Sequence, residues 1–249
     1  MSLALEPTET SVLDATCITL RDDIFLRVST TFRNLITNSI RFAAELALTA
    51  GFVLLLFAFY LLVWSNHRTA GIQDDLLQEF RAEAGQSKGT EPRRPSAGDG
   101  VAVMHIPRFG KDWQKVVVEG VDPDDLRNGP GRFSDSAMPG KKGNFAVAGH
   151  RATHGEPFAR LDEMEQGDRI VVETADEWLV YQVAWSEIVP PTAVELLEPV
   201  PGHPGRKGKQ RLMTLITCHP RWSSTERLAV GAQLVERRTA DAGPPADLA

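Results

Sequence analysis

Residues 211–235 read RLMTLITCHPRWSSTERLAVGAQLV, and this stretch decides the fold. Its first part, MTLIT, is apolar and β-branched, the composition that packs on a half-buried pleated surface. HPRWSSTER follows, polar and proline-containing, and breaks the run. The last part, RLAVGAQLV, is apolar again. The stretch therefore predicts a strand, a polar connection and a second strand. Cys218 stands at the end of the first strand and Arg227 at the start of the second.

The same pattern continues outward. Short β-branched or alternating runs occur at 101–106, 113–119, 144–148, 169–174, 178–189, 211–217 and 228–235. DPDD, NGPG, MPGKKG, EQGD and PGHPGRKG separate them as turns. Residues 161–165 read as one helical turn. Seven or eight short strands with few helices predict a mainly β domain over 99–238, a barrel or a sandwich. About 140 residues are enough to bury a core alone. The tail TADAGPPADLA, 239–249, is expected to be disordered.

The whole chain has 249 residues, 42% hydrophobic and 24% charged, which excludes wholesale disorder, collagen and a disulfide miniprotein. A net charge of −6 leaves no basic footprint for nucleic acid. Residues 46–64, LALTAGFVLLLFAFYLLVW, run without a charge. At 1.5 Å per residue they span about 28 Å, the hydrocarbon core of a bilayer. The run comes too late and is too long for a cleavable signal peptide. It predicts a single transmembrane anchor, with Tyr60 and Trp64 as interfacial rings at one end. Residues 1–45 then form a polar N-terminal segment. Residues 65–98 form a stalk, with a short helix over 73–84 and a Gly/Pro/Ser-rich linker after it. Arg27, Arg33 and Arg41 precede the anchor, while Arg68 and Arg81 follow it beside Asp74, Asp75, Glu79 and Glu83. That asymmetry predicts a cytoplasmic N-terminus and everything after Trp64 outside the cell. The two cysteines, Cys17 and Cys218, then lie on opposite sides and cannot pair within one molecule. A leftover exported cysteine suggests intermolecular pairing or a reactive thiol.

A lone cysteine is ordinarily a small buried hydrophobe. Cys218 has another setting, because a strand end opening onto a loop holds a side chain at a cleft on rigid backbone. A thiol needs a nearby cation or base to become a thiolate. His219, Arg221, Arg227, His150 and His154 are the candidates. His150 occupies the same kind of place, because NFAVAGH is an apolar strand ending at Gly149-His150 before polar RATHGEP. An imidazole there can serve as acid and base. Arg227 cannot lose its proton and suits an oxyanion role. His150 and His154 have the i,i+4 spacing of two metal ligands on a helix. Gly149, Gly155 and Pro157 argue for a loop instead, and no HExxH glutamate is present.

TLITC, with a strand-opening arginine nine residues after the cysteine, resembles the TLxTC…R signature of sortases. AGHRATHGEPFARLDEMEQGDRIVVET resembles the sortase block in which a strand ends in the catalytic histidine. TLITCHPRWSSTERLAV most resembles the class E sortases of Gram-positive actinobacteria, whose cysteine is typically followed by His-Pro. The likeness spans residues 101–235 and includes the expected anchor. It implies a closed eight-stranded sortase-type β-barrel with few short helices. It also implies a membrane-anchored cysteine transpeptidase with Cys218 as nucleophile, His150 as acid and base, and Arg227 at the substrate oxygen. The partners implied are secreted proteins bearing a C-terminal sorting signal, cut between Thr and Gly, and a cell-wall precursor or peptidoglycan amine as acceptor. The chemistry needs no cofactor or metal. Thr217, before the nucleophile, and His154 are the substrate-binding positions implied. Class E members often carry Tyr where this chain has His154, at a position associated with choosing the signal, so LPXTG-like and LAXTG-like motifs both stay open. Two other readings use the same residues: an exported cysteine peptidase acting by hydrolysis, and a non-enzymatic anchored β-domain in which Cys218 only packs.

Overall fold

A computed structural model describes residues 10–86 and 95–248 of the chain. It divides into two compact units between Ala58 and Phe59. The first is helical. α1 runs unbroken over Thr10–Phe59, so the polar segment read over 1–45 is helical from Thr10, its first nine residues lying outside the described ones. Within α1, Phe32–Phe59 is long and apolar enough to cross a membrane, 28 residues with mean hydropathy 2.2. This span begins earlier than the uncharged run at Leu46 and takes in Arg33, Arg41 and Glu45.

The second unit opens with a π-helical turn, Tyr60–Trp64, and α2, Ser65–Gln86. Eight strands follow among the described residues: β1 Gly100–His105, β2 Gln114–Glu119, β3 Gly131–Arg132, β4 Gly143–Ala148, β5 Arg169–Glu173, β6 Glu177–Val189, β7 Arg211–His219 and β8 Glu226–Thr239. α3, Pro123–Leu126, caps the β2–β3 connection. The strands close a barrel in the order β1-β2-β3-β4-β7-β8-β6-β5. β4 and β7 are parallel, and β7 and β8 are antiparallel. Inside, Met104, Phe145, Leu161, Tyr181, Met213 and Leu215 are fully buried and form one core.

Two segments differ from the sequence reading. The expected stalk includes α2, whose Phe80 packs with Val103 and Val116 on the barrel. Gln73 brackets the edge of β2: its Nε2 donates to the Val116 and Asn128 carbonyls at 3.1 and 2.7 Å, and its Oε1 accepts from Val116 N at 2.8 Å. A buried amide that satisfies backbone groups holds a helix in place where composition alone suggests a spacer. The tail expected to be disordered makes two 3₁₀ turns, Ala240–Ala242 and Ala246–Leu248, and Arg238 donates to the Pro244 carbonyl at 3.1 Å.

β3 was not visible as a strand. It has two residues, pairs in parallel with β2, and buries Arg132 against Glu119 through two bonds of 2.7 Å. Local periodicity carries no trace of so short an element.

Candidate active site

Alternation along β4, β7 and β8 decides which residues share a face. Phe145 and Val147 of β4, Met213 and Leu215 of β7, and Leu228 and Val230 of β8 enter the core. Cys218 and Arg227 have the opposite parity and lie on the outer face. They are direct partners across β7 and β8, so their side chains stand side by side. His150 joins them from β4. The parallel pairing ends at Ala148↔Ile216, and His150 and Cys218 are each two residues beyond it. The ladder continues for one more bond, from Gly149 N to the Ile216 carbonyl at 3.1 Å. Three strand ends that are remote in sequence thus converge.

Ala146, Ala148, Thr214, Ile216, Ala229 and Gly231 share the outer face that leads to them. Gly231 has no space for a Cβ because the Trp185 ring lies over it. Asn144 donates to the Leu196 carbonyl at 2.9 Å and accepts from Thr214 Oγ1 at 2.9 Å, which ties the β6–β7 connection down at one side.

Each expected residue has a definite place. Cys218 is a free, half-buried cysteine. Arg227 donates to the Ser224 and Glu226 carbonyls at 2.9 Å, which fixes one arm of its guanidinium against the β7–β8 loop. His150 is half-buried and its ring stacks on His154, with centroids 4.8 Å apart. Burial first, then the positive charge of His154 and of Arg127, pushes the His150 pKa down to about 4. His154 is lowered as well, by burial and then by Arg127. Thr217 is only 2% exposed, and its hydroxyl donates to the Gly149 carbonyl at 2.8 Å. It faces inward, behind Cys218 and His150, and holds the two strand ends together. The histidines do meet as a pair, but among the described residues no group of three His, Cys, Asp or Glu is placed for a metal ion.

Two residues at the site escaped the sequence reading. Arg151, 4% exposed, bonds Asp162 at 2.8 Å and His219 Nδ1 at 2.8 Å, and lies 3.5 Å from the Cys218 carbonyl. A guanidinium only donates, so His219 Nδ1 accepts. Arg151 thereby fastens the residue after His150 to the residue after Cys218. Its place directly after the candidate histidine was the available signal. Arg127 supplies positive charge beside His150, but it comes from the α3 end, which nothing local links to residue 150.

The chain has relatives among known proteins. Residues 104–235 match the Sortase domain family model. The chain is 39% identical over 219 residues to sortase SrtE1 of Streptomyces coelicolor, covering 82% of this chain. It spans 60% of the length of that relative. It is 34% identical over 220 residues to sortase SrtE2 of the same organism, covering 82% of this chain and 86% of the relative. Among solved structures, sortase E from Streptomyces avermitilis superposes with a TM-score of 0.57 at 39% identity, covering 62% of this chain and 99% of that one.

Proposed function

The chain belongs to the sortase family, a family of cysteine transpeptidases, and on that premise we propose that it cuts a C-terminal LPXTG- or LAXTG-like sorting signal between Thr and Gly and transfers the protein to a cell-wall amine. The observation that carries this reading is the direct pairing of Cys218 with Arg227 at the strand end where His150 also arrives. Cys218 Sγ attacks the Thr carbonyl carbon as its proton passes to a ring nitrogen of His150. Neutral His150, held so by burial, is ready to receive that proton. The tetrahedral oxygen rests on Arg227. The C–N bond then breaks, His150 gives the proton to the departing glycine amine, and a thioester remains. The acceptor amine attacks next, His150 takes its proton, and Cys218 is released. Thr217 and Arg151 keep the two strand ends in register, while His154 covers one face of His150.

The test is incubation of the full chain in detergent micelles with a sorting peptide, with and without an amine, followed by product masses. An amine-linked product cut after Thr is expected. No cleavage, or hydrolysis unaffected by amine, would reject transpeptidation.

Arg227→Lys should lose nearly as much as Arg227→Ala. Arginine offers a planar fork of donors and lysine a mobile point charge. Removing one oxyanion donor typically costs about 10²–10³-fold in rate. Single-turnover acylation of Cys218 reads the loss. Near wild-type acylation in the lysine variant would mean that charge alone suffices.

The proposal places the N-terminus in the cytoplasm and the barrel outside. The span Phe32–Phe59 and the arginine excess before the uncharged run support it. Protease added to intact cells should remove the barrel and leave an N-terminal fragment. Full protection of the barrel would reverse the topology.

A further inference from the structure

We infer that Asn66, in the first turn of α2, is a positioning residue that holds the loop carrying His150 and His154; this deepens the reading of that site as a sortase centre. Asn66 is seven residues beyond Phe59, the end of the membrane-compatible span. Its Oδ1 accepts from Gly155 N at 2.9 Å, and its Nδ2 donates to Glu156 Oε1 at 3.3 Å. The other oxygen of Glu156 accepts from Arg221 at 2.6 Å, in the connection between Cys218 and Arg227. One helical turn along, Thr69 is 3% exposed and donates to the Arg127 carbonyl at 2.9 Å. A Cβ on Gly155 would lie 2.9 Å from the Thr69 methyl, so the loop lies flush against α2.

The loop needs this support. His154, Gly155 and Glu156 have φ of 53°, 75° and 45°. Two of the three are not glycine, and a side chain in the left-handed region is strained. Such residues persist where their surroundings over-determine them. Asn66 supplies a donor and an acceptor to the last two of the three. His154, at the head of the run, carries the ring stacked 4.8 Å from His150. Releasing Gly155 and Glu156 therefore frees the residue that covers the proposed acid and base. Misplacement on the order of 1 Å at a reacting group can cost about 10²-fold.

α2 is thus a working part of the centre, and a fragment begun at residue 99 lacks it. Asn66→Ala in the full chain, in micelles, should lower kcat for peptide cleavage about tenfold or more and leave KM within about twofold. Arg81→Ala removes a contact to Gln114 at the other end of α2 and should change neither constant. Asn66→Asp keeps the acceptor for Gly155 but sets a carboxylate against Glu156. It should be impaired as well, and Glu156→Gln added to it should bring kcat back to the level of Glu156→Gln alone. Amide hydrogen exchange over residues 150–158 reads the support without reference to activity and should accelerate in Asn66→Ala. Unchanged exchange and kcat in Asn66→Ala, or an equal loss in Arg81→Ala, overturns the inference. A wild-type chain that cleaves no sorting peptide, yet shows the accelerated exchange in Asn66→Ala, rejects the sortase reading and leaves Asn66 as the support of the loop.

Discussion

Cys218→Ala should abolish both cleavage of a sorting peptide and the covalent peptide adduct, while the barrel stays folded. The adduct is expected in the wild type because a thioester splits one difficult transfer into two easier steps. Thr217, the neighbouring hydroxyl, cannot replace it, because it faces inward with its hydroxyl given to Gly149. Stability should change little, because Cys218 is only half-buried at a strand end and lies outside the barrel core. Core truncations cost about 2–5 kcal/mol because they leave a cavity, and a thiol on the outer face leaves none. Intact-protein mass after incubation with peptide, and a thermal melt, read the two halves. A variant that still turns over would move the nucleophile elsewhere. A variant that no longer folds would mean that Cys218 is a packing residue.

His150→Ala should lower acylation by about 10²–10⁴-fold, the range that acid and base catalysis supplies. The pH profile separates this role from mere positioning. The base form of His150 is the active one for acylation, and protonation removes it. Burial, with His154 and Arg127 beside it, lowers the pKa from 6.5 to about 4. The acid limb of kcat/KM should therefore lie well below pH 6.5. Replacing His154 with Phe removes one source of positive charge and should move that limb upward. The same shift acts on stability with a definite sign. Between about 4 and 6.5, the unfolded chain binds the proton more readily, so stability is full above that window and falls as pH drops through it. His150→Ala should flatten that part of the fall in Tm. An acid limb at or above 6.5 would show that His150 is exposed and ordinary.

The places of Cys218, His150 and Arg227 at strand ends were legible in the sequence because each sits where an apolar run meets a polar one. That is a local signal. The period of two and the turn residues around it mark strand ends without reference to the rest of the chain. The strands at 144–148 and 178–189 are legible for the same reason, and β7 is legible through Thr217. The uncharged run at 46–64 announces an anchor through composition alone, although the helix that holds its first fourteen residues extends back to Thr10.

Register lies beyond such signals. That Cys218 faces Arg227 follows from the antiparallel pairing of β7 and β8, and that His150 joins them follows from β4 lying parallel to β7. The β4–β7 pairing joins strands some 70 residues apart in sequence, and a one-residue slip would turn each side chain to the other face. The docking of α2, the two-residue β3, the burial of Arg151 beside Asp162 and the reach of Asn66 to Gly155 are decided the same way. Each is a contact between segments whose own composition fits several places. The sequence determines which residues can do chemistry because reactivity belongs to side-chain type and local setting. The tertiary structure decides which of them meet, because only the closed barrel brings its remote strand ends to one face.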